Sequence, residues 1–293
     1  MDAPLEQEGQ SQEQQDGASV SSTPPADQIA SLMAERLGRD KEALKTAWNA
    51  SPKERARHVA IENLLPDDLA KTIADNFPTS GAFWRQLKSF RESKKTFAKL
   101  DALHPVLAHV TDAFHQPQVI KIIADITGME KLEADPSLYA GGLSLMQEGD
   151  FLNPHIDNSH DAERTRYRRL NLLYYVSPGW SDKHGGNLEL WNRRVTSPLE
   201  ITSRFNRLVL METNKTSWHS VNRVRKDASR CCVSNYYFSS VSPTGADYHH
   251  VTSFLGRPEQ PARRLLGRLD NAGRQFVAST LGMTRGKHLR RDA

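Results

Sequence analysis

The chain has 293 residues, with 39 Lys+Arg against 35 Asp+Glu (formal net charge +4), 38% hydrophobic and 25% charged. This is enough chain to enclose a substantial core in one large domain or two modest ones. No stretch approaches the roughly 20 consecutive apolar residues of a membrane-spanning helix, so such a helix is not expected.

Residues 1–25 are mainly Gln, Glu, Ser and Asp, with almost nothing to bury, and predict a disordered, acidic, Gln-rich leader. The opening MDAPLEQEGQSQEQQDG has neither a basic segment nor an apolar one, as a secretory signal requires. Helical patterns follow. "DQIASLMAERLG" sets Ile29, Leu32, Met33 and Leu37 on one face and predicts a stop at Gly38. "LPDDLAKTIADNF" opens with Pro66 and two acids, as a helix N-terminus favours, and runs Leu69, Ile73 and Phe77 down one side. "HPVLAHVTDAF" and "QVIKIIADITG" continue the pattern, the second closed by Gly128.

From about residue 139 the texture changes to short β-type runs: "LSLMQ", "RLNLLYYV", "NLELW", "PLEI", "RLVLM", "WHSV" and "RCCVSNYYF". Clusters such as "SPGWSDKHGGN" separate them, which predicts a sandwich or jelly roll. Gly185-Gly186 lies in a turn-then-strand context and is not a phosphate loop. Cys231 and Cys232 are neighbours facing opposite sides of a strand. A mutual disulfide is therefore geometrically poor, and a reduced, cytoplasmic protein is expected. After "GADYHH" a helical, basic tail returns: residues 257–293 carry Lys or Arg at 257, 263, 264, 268, 274, 285, 287, 290 and 291. Such a run can attract nucleic acid, but a solvated helix face or a frayed end is the commoner explanation.

The chemistry gathers around "PHIDNSHD". His155-x-Asp157 by itself reads as a polar strand end running into an Asx turn, and His219 by itself as a satisfied structural histidine. Together they read differently. Two positions apart on a strand, His155 and Asp157 project from one face. With His219 they supply two imidazoles and a carboxylate to one side of a metal, the donor set of non-haem Fe(II) oxygenases, leaving positions for a bidentate 2-oxo acid and dioxygen. The far carboxylate of a 2-oxoglutarate then needs a cation in an apolar barrel. Arg230, at the start of the last strand, is placed to give it two parallel charge-assisted hydrogen bonds.

The set "PHIDN … RRLNLLYYVSPGW … GGNLELW … FNRLVLMETNKTSWHSV … RCCVSNYYF" resembles the prolyl 4-hydroxylase-like branch of the Fe(II)/2-oxoglutarate dioxygenases. The likeness covers about residues 140–240, and "IENLLPDDLAKTI" extends it back to about 60 as a lead-in helix. It implies a double-stranded β-helix (jelly-roll) core over residues 139–242; with the helical N-terminal region, 26–138, and the helical basic tail, 243–293, read from the patterns above, an α+β fold is expected. It implies His155, Asp157 and His219 as iron ligands, and Arg230, Tyr175, Asn171 and Ser234 around 2-oxoglutarate. Leu173 should point inward with Asn171 and Tyr175, and Cys232, Ser234 and Tyr236 should share the face of Arg230. Arg168 matches a substrate-contacting basic position, with Arg166 and Arg169 as competitors, and Tyr236 is a second substrate-side candidate.

The activity implied is hydroxylation of an unactivated C–H bond coupled to conversion of 2-oxoglutarate and O2 to succinate and CO2. The resemblance implies Fe(II) as the metal, with L-ascorbate as an accessory. A prolyl residue is the default target; a free amino acid, a peptide natural product or a sugar intermediate fits the motifs as well. Two departures refine the reading. Met146 or Gln147 stands where relatives often have a tyrosine. Tyr236 occupies the position of a second arginine in nucleic-acid demethylases, which argues against base repair, so neither nucleic acid nor membrane is an expected partner. Asp157, kept as an acid, argues for hydroxylation over halogenation. Two readings from other classes stand beside this one: a non-catalytic jelly-roll binding module with structural Zn(II) in the same triad, and an RNA-binding role for the tail. His160 is expected on an exposed loop, and His184, His249 and His250 at surface or structural positions.

Overall fold

The computed structural model describes residues 23–139 and 141–281. Most of the expected leader and the end of the basic tail lie outside the described residues. Helices α1 (Ala26–Arg39), α2 (Lys41–Asn49), α3 (Asp67–Asp75), α4 (Pro105–Ala113) and α5 (Pro117–Thr127) precede the main run of strands, and α6 (Pro261–Leu281) follows it. The four expected helical stretches are present. Gly38 does not end α1: the helix continues to Arg39 and α2 starts after Asp40. Gly128 does end α5, in the left-handed conformation (φ 68°) that glycine enters without steric cost.

The strands are β1 (His58–Ile61), β2 (Arg85–Lys88), β3 (Glu92–Phe97), β4 (Leu132–Ala134), β5 (Gly142–Met146), β6 (Phe151–Ile156), β7 (Tyr167–Tyr175), β8 (Leu188–Trp191), β9 (Pro198–Ile201), β10 (Arg207–Glu212), β11 (His219–Val221), β12 (Arg230–Ser239) and β13 (Ser253–Phe254). They form one curled antiparallel sheet in the order β1-β10-β7-β12-β5-β3-β6-β11-β8-β9, with β2 beside β3, β4 beside β12 and β13 beside β6, the jelly-roll core expected from the sequence. The region 26–138 is not purely helical. It contributes β1 through β4, and β3 joins the two halves of the sheet by pairing with both β5 and β6.

The period-two alternation of β7 and β12 divides the molecule. Leu170, Leu172 and Tyr174 of the first and Val176 just past its end, with Cys231, Val233 and Tyr237 of the second, pack against α1, α4 and α5 in the main core. Asn171, Leu173 and Tyr175, with Arg230, Cys232, Ser234 and Tyr236, occupy the other face. Cys231 and Cys232 are both free and buried, as their opposite orientations require.

One buried amide ties the helical layer to the sheet. Asn206, in the left-handed region at φ 57°, accepts from the Leu65 N–H and the Tyr174 hydroxyl and donates to the Leu65 carbonyl. Asn206→Ala strands three buried polar groups at once. It is expected to lower stability by about 2–4 kcal/mol in urea unfolding, with the cavity chemistry untouched.

Candidate metal and 2-oxo acid site

β6 and β11 pair so that His155 and His219 are direct cross-strand partners, their ring centroids 4.0 Å apart. Asp157 stands one residue past the end of β6, yet its carboxylate stays on the same side. His155 Nε2 lies 3.7 Å from Asp157 Oδ1, and His219 Nε2 lies 3.5 Å from Oδ2. The ligand atoms of all three residues lie within 4.8 Å of one another. Among the described residues this is the one such cluster of His, Cys, Asp and Glu. Donors so spaced can converge on one ion at bond lengths of about 2.0–2.2 Å.

Second partners set the donor atoms. The Nδ1–H of His155 donates to the Asn153 carbonyl at 3.0 Å, and that of His219 to the Ser217 carbonyl at 2.9 Å. A carbonyl can only accept, so each ring carries its proton on Nδ1 and presents a bare Nε2 to the cavity. Burial is the main cause holding both imidazoles below their ordinary pKa, His155 well below. Neutral rings are what a metal needs. Burial pushes the Asp157 carboxyl the other way, but Arg168, the two histidines and the Asn171 hydrogen bond outweigh it and keep the group ionised. Asn171 Nδ2 donates to Oδ2 at 2.8 Å and Arg168 Nη2 approaches the same oxygen at 3.3 Å. Oδ1 is thereby left toward His155.

Arg168 reaches this position because of a register shift. In β7 it shares parity with Leu170 and Leu172, so strict alternation would turn it to the helices. The pairing with β12 shifts between Tyr237 and Phe238, which sets Phe238 opposite Arg168 and leaves Arg169 as the additional residue. Arg168 then lies with its guanidinium 3.6 Å from the Tyr236 ring and donates to Asn171 Oδ1. The competitors are engaged elsewhere. Arg166 pairs with Asp161 and Glu133, and Arg169 donates to the Val241 carbonyl.

The other end of the cavity, a space of about 90 Å³, holds Arg230. Its Nε donates to the Gly186 carbonyl at 2.6 Å and Ser203 Oγ at 2.9 Å. Its Nη1 meets only the Met146 sulfur, at 3.7 Å. No carboxylate of the described residues comes within 4.0 Å, although the side chain is buried. Tyr175 lies with its ring 4.8 Å from the guanidinium and a buried hydroxyl without a hydrogen-bond partner; burial lifts that phenol to about 12. An uncompensated guanidinium and an orphaned donor side by side fit a carboxylate guest. Gly186 makes the cradle possible: a Cβ there would meet Arg230 Cδ at 2.8 Å.

Asn171, Leu173, Ser234 and Tyr236 line the cavity as expected, and Met146 resolves the ambiguity with Gln147 by facing inward. Gln147 bonds Lys95, Thr79 and Ser229 instead. Among the lining residues not anticipated are two polar ones from β3, Lys94 and Thr96. Lys94 pairs with Glu92 at 3.4 Å. Their signal, a polar residue at every second position of "ESKKTF", is faint because both faces of that strand are polar. His160 is not an exposed loop residue: it is buried against Tyr167, ring centroids 4.4 Å apart. His250 is also closer to the site than expected, its Nε2 2.6 Å from the Asp157 carbonyl oxygen.

Residues 141–238 match the family model of the 2OG-Fe(II) oxygenase superfamily. Over these residues the chain is similar to that superfamily. Several solved structures are similar in fold. A Pseudomonas putida prolyl-4-hydroxylase is 13% identical, with 67% of this chain and 98% of that one covered and a TM-score of 0.46. A Trichoplax adhaerens prolyl hydroxylase, in complex with a hypoxia inducible factor oxygen degradation domain peptide, is 14% identical over 76% and 94%, with a TM-score of 0.48. HygX from Streptomyces hygroscopicus, with nickel, 2-oxoglutarate and hygromycin B bound, is 12% identical over 73% and 96%, with a TM-score of 0.44. No curated protein matches the chain.

The site's imidazoles carry a consequence for stability. His155 and His219 titrate low in the folded chain, as does His250, which burial pushes down to about 4. The unfolded chain takes up these protons near pH ~6.5. Below that pH the unfolded state binds more protons, so stability falls as the pH drops toward the folded values. Asp157, also depressed, acts with the same sign at lower pH. The urea midpoint of the metal-free protein is expected to be lower at pH 5.5 than at 7.5. An unchanged or higher midpoint at 5.5 would mean that the native imidazoles are already protonated.

Proposed function

We propose that this chain is an Fe(II)- and 2-oxoglutarate-dependent dioxygenase that hydroxylates an unactivated C–H bond. One oxygen atom of O2 enters the product and the other enters succinate, with release of CO2. The observation that carries the reading is the pairing, within one cavity, of a two-histidine, one-carboxylate cluster with a buried guanidinium that has no carboxylate partner. Either alone has a structural explanation; together they match the two ends of a 2-oxo diacid.

In this reading His155, Asp157 and His219 hold the iron through Nε2, Oδ1 and Nε2. When bound, the metal supplies the activation of dioxygen by the 2-oxo acid. The chain's own residues do the rest. Asn171 and Arg168 fix the Asp157 carboxylate by occupying its second oxygen. Arg230 takes the distal carboxylate of 2-oxoglutarate, and the Tyr175 hydroxyl donates to the same group. Ser234 and Asn171 complete the polar lining, while Met146, Leu173, Leu188 and Val221 keep water out of the reacting space. L-Ascorbate is an accessory reductant in this proposal. Arg168 and Tyr236, stacked on each other, flank the substrate. A prolyl residue of a protein or peptide is the default target, by resemblance. The two free thiols, Cys231 pushed up to about 12 by burial, support a reducing, cytoplasmic location.

The test has two parts. Succinate formation is expected to require both Fe(II) and 2-oxoglutarate and to vanish in Asp157→Ala. Arg230→Ala is expected to raise the KM for 2-oxoglutarate on the order of 10- to 100-fold, the equivalent of about 1.5–3 kcal/mol for a charge-assisted hydrogen bond. Anaerobic Fe(II) and 2-oxoglutarate should also give a weak visible charge-transfer band. A protein that binds Zn(II) in the triad and yields neither band nor succinate would instead be a non-catalytic binding module. Mass spectrometry of a treated lysate, seeking products one oxygen atom heavier, addresses the substrate.

A further inference from the structure

The superfamily match ends at residue 238, yet the strand that carries His155 is completed by residues beyond it. β11 runs along one edge of β6. Along the other edge β3 pairs with Phe151 and Leu152, and β13 takes over at His155 and Ile156. The Leu255 N–H donates to the Pro154 carbonyl at 2.8 Å. Residues 253–255 therefore close the edge of β6 where β3 leaves it open, at the metal ligands.

Two side chains of residues 250–255 reach those ligands or their backbone. The Phe254 ring stacks on His155 at 5.2 Å and 19°. The His155 imidazole is thus held between Phe254 on one side and His219 on the other. Its single Nδ1–H bond would otherwise leave the ring free to rock about that axis. Asp157 lies where the ladder has ended, and His250 stands in for the missing strand. Its Nε2–H donates to the Asp157 carbonyl at 2.6 Å, and its backbone N–H donates to Ser159 Oγ at 2.9 Å. The Ser159 N–H returns a bond to the His250 carbonyl at 3.1 Å.

The segment is anchored from behind by α6. Asn271 clasps the Phe254 backbone, accepting from its N–H at 2.8 Å and donating to its carbonyl at 2.7 Å. Gly267 lets the helix come close: a Cβ there would meet the Phe254 carbonyl oxygen at 2.8 Å. Asp270 pairs with Arg91, whose chain neighbour Glu92 begins β3. Arg257 pairs with Glu189 of β8.

We propose that residues 250–271 form a strap that fixes the metal ligands, with Phe254 positioning the His155 imidazole and His250 the Asp157 segment. The consequence for metal affinity rests on the iron reading above; the mechanical claim does not. Outer partners that orient ligands commonly govern metal affinity by about 10- to 100-fold.

Two measurements test the strap. In the metal-free protein, Phe254→Ala and Asn271→Ala are expected to speed amide hydrogen exchange at residues 155–158, with the far-ultraviolet circular dichroism unchanged. Titration with Co(II) is expected to show an affinity loss of about 10- to 100-fold and an altered ligand-field spectrum. Phe254→Tyr, which keeps the flat ring, and His250→Gln, which keeps a donor, should stay near the parent. Should Phe254→Ala fail to fold, Asn271→Ala and the conservative pair still decide the matter. Parent-like exchange and Co(II) affinity in Asn271→Ala would overturn the strap. A parent protein that takes up no Co(II) would count against the iron reading, and the exchange arm would still judge the strap.

Discussion

The structure depends on keeping two incompatible environments on opposite faces of the same strands. β7 and β12 send every second side chain into an oily layer beneath the helices and the alternate ones into a polar cavity. Because the side-chain period is two, a slip of one residue in their pairing would exchange the faces. It would place Leu172 and Val233 beside His155, Asp157 and His219, and Asn171 and Ser234 in the core. The helical layer is what makes that exchange costly. The buried Tyr174, Tyr237 and Phe114 have no other place to go, so the packing of the N-terminal region holds the register of the cavity.

Against that constraint the one irregularity in the β7–β12 pairing is informative. The shift opposite Tyr237 and Phe238 disrupts regular pairing locally, and what it accomplishes is to turn Arg168 inward. There the arginine meets an ionised carboxylate that burial alone would have discharged, and it rests on an aromatic face. Bulges beside functional sites re-aim side chains in this way. The arrangement serves Asp157: a leucine in place of Arg168 would leave that carboxylate with less compensation for its burial.

What could be read from the sequence follows from the range of the forces involved. The helices over 26–39, 67–75, 105–113 and 117–127 are legible because each carries its own apolar stripe. The inward set Asn171, Leu173, Ser234 and Tyr236 is legible because alternation is local. The likeness of the ordered motifs brought His155, Asp157, His219 and Arg230 into view as a group, although each by itself has an ordinary reading. β3 was not legible. "ESKKTF" has no apolar face to mark it, because Lys94 and Thr96 face the polar cavity and Lys95 reaches Gln147. Its strand conformation is imposed by pairing with β5 and β6. The choice among Arg166, Arg168 and Arg169 was equally hidden, since it turns on a register shift that only the partner strand specifies. His160 and His250 went unread for a related reason: their burial comes from segments about 90 residues apart that meet only in the fold.

The cavity's two charged ends also constrain each other. At one end, Asp157 is provided with partners on Oδ2 from Asn171 and Arg168, so its negative charge is compensated before any guest arrives. At the other, the Arg230 positive charge is held by a backbone carbonyl and a hydroxyl, which orient the guanidinium without neutralising it. A divalent ion seated against the triad would add positive charge to a cavity that already holds Arg168, Arg230 and Lys94. Neutral histidines contribute nothing to offset it. A dianionic guest with carboxylates at both ends restores the balance in a way that a metal alone does not. The His155–Asp157–His219 cluster and the Arg230 cradle are therefore coupled electrostatically as well as spatially. A protein holding a purely structural metal would gain stability from exchanging Arg230 for an apolar residue, and Gly186, whose missing Cβ gives that arginine room, serves the same requirement.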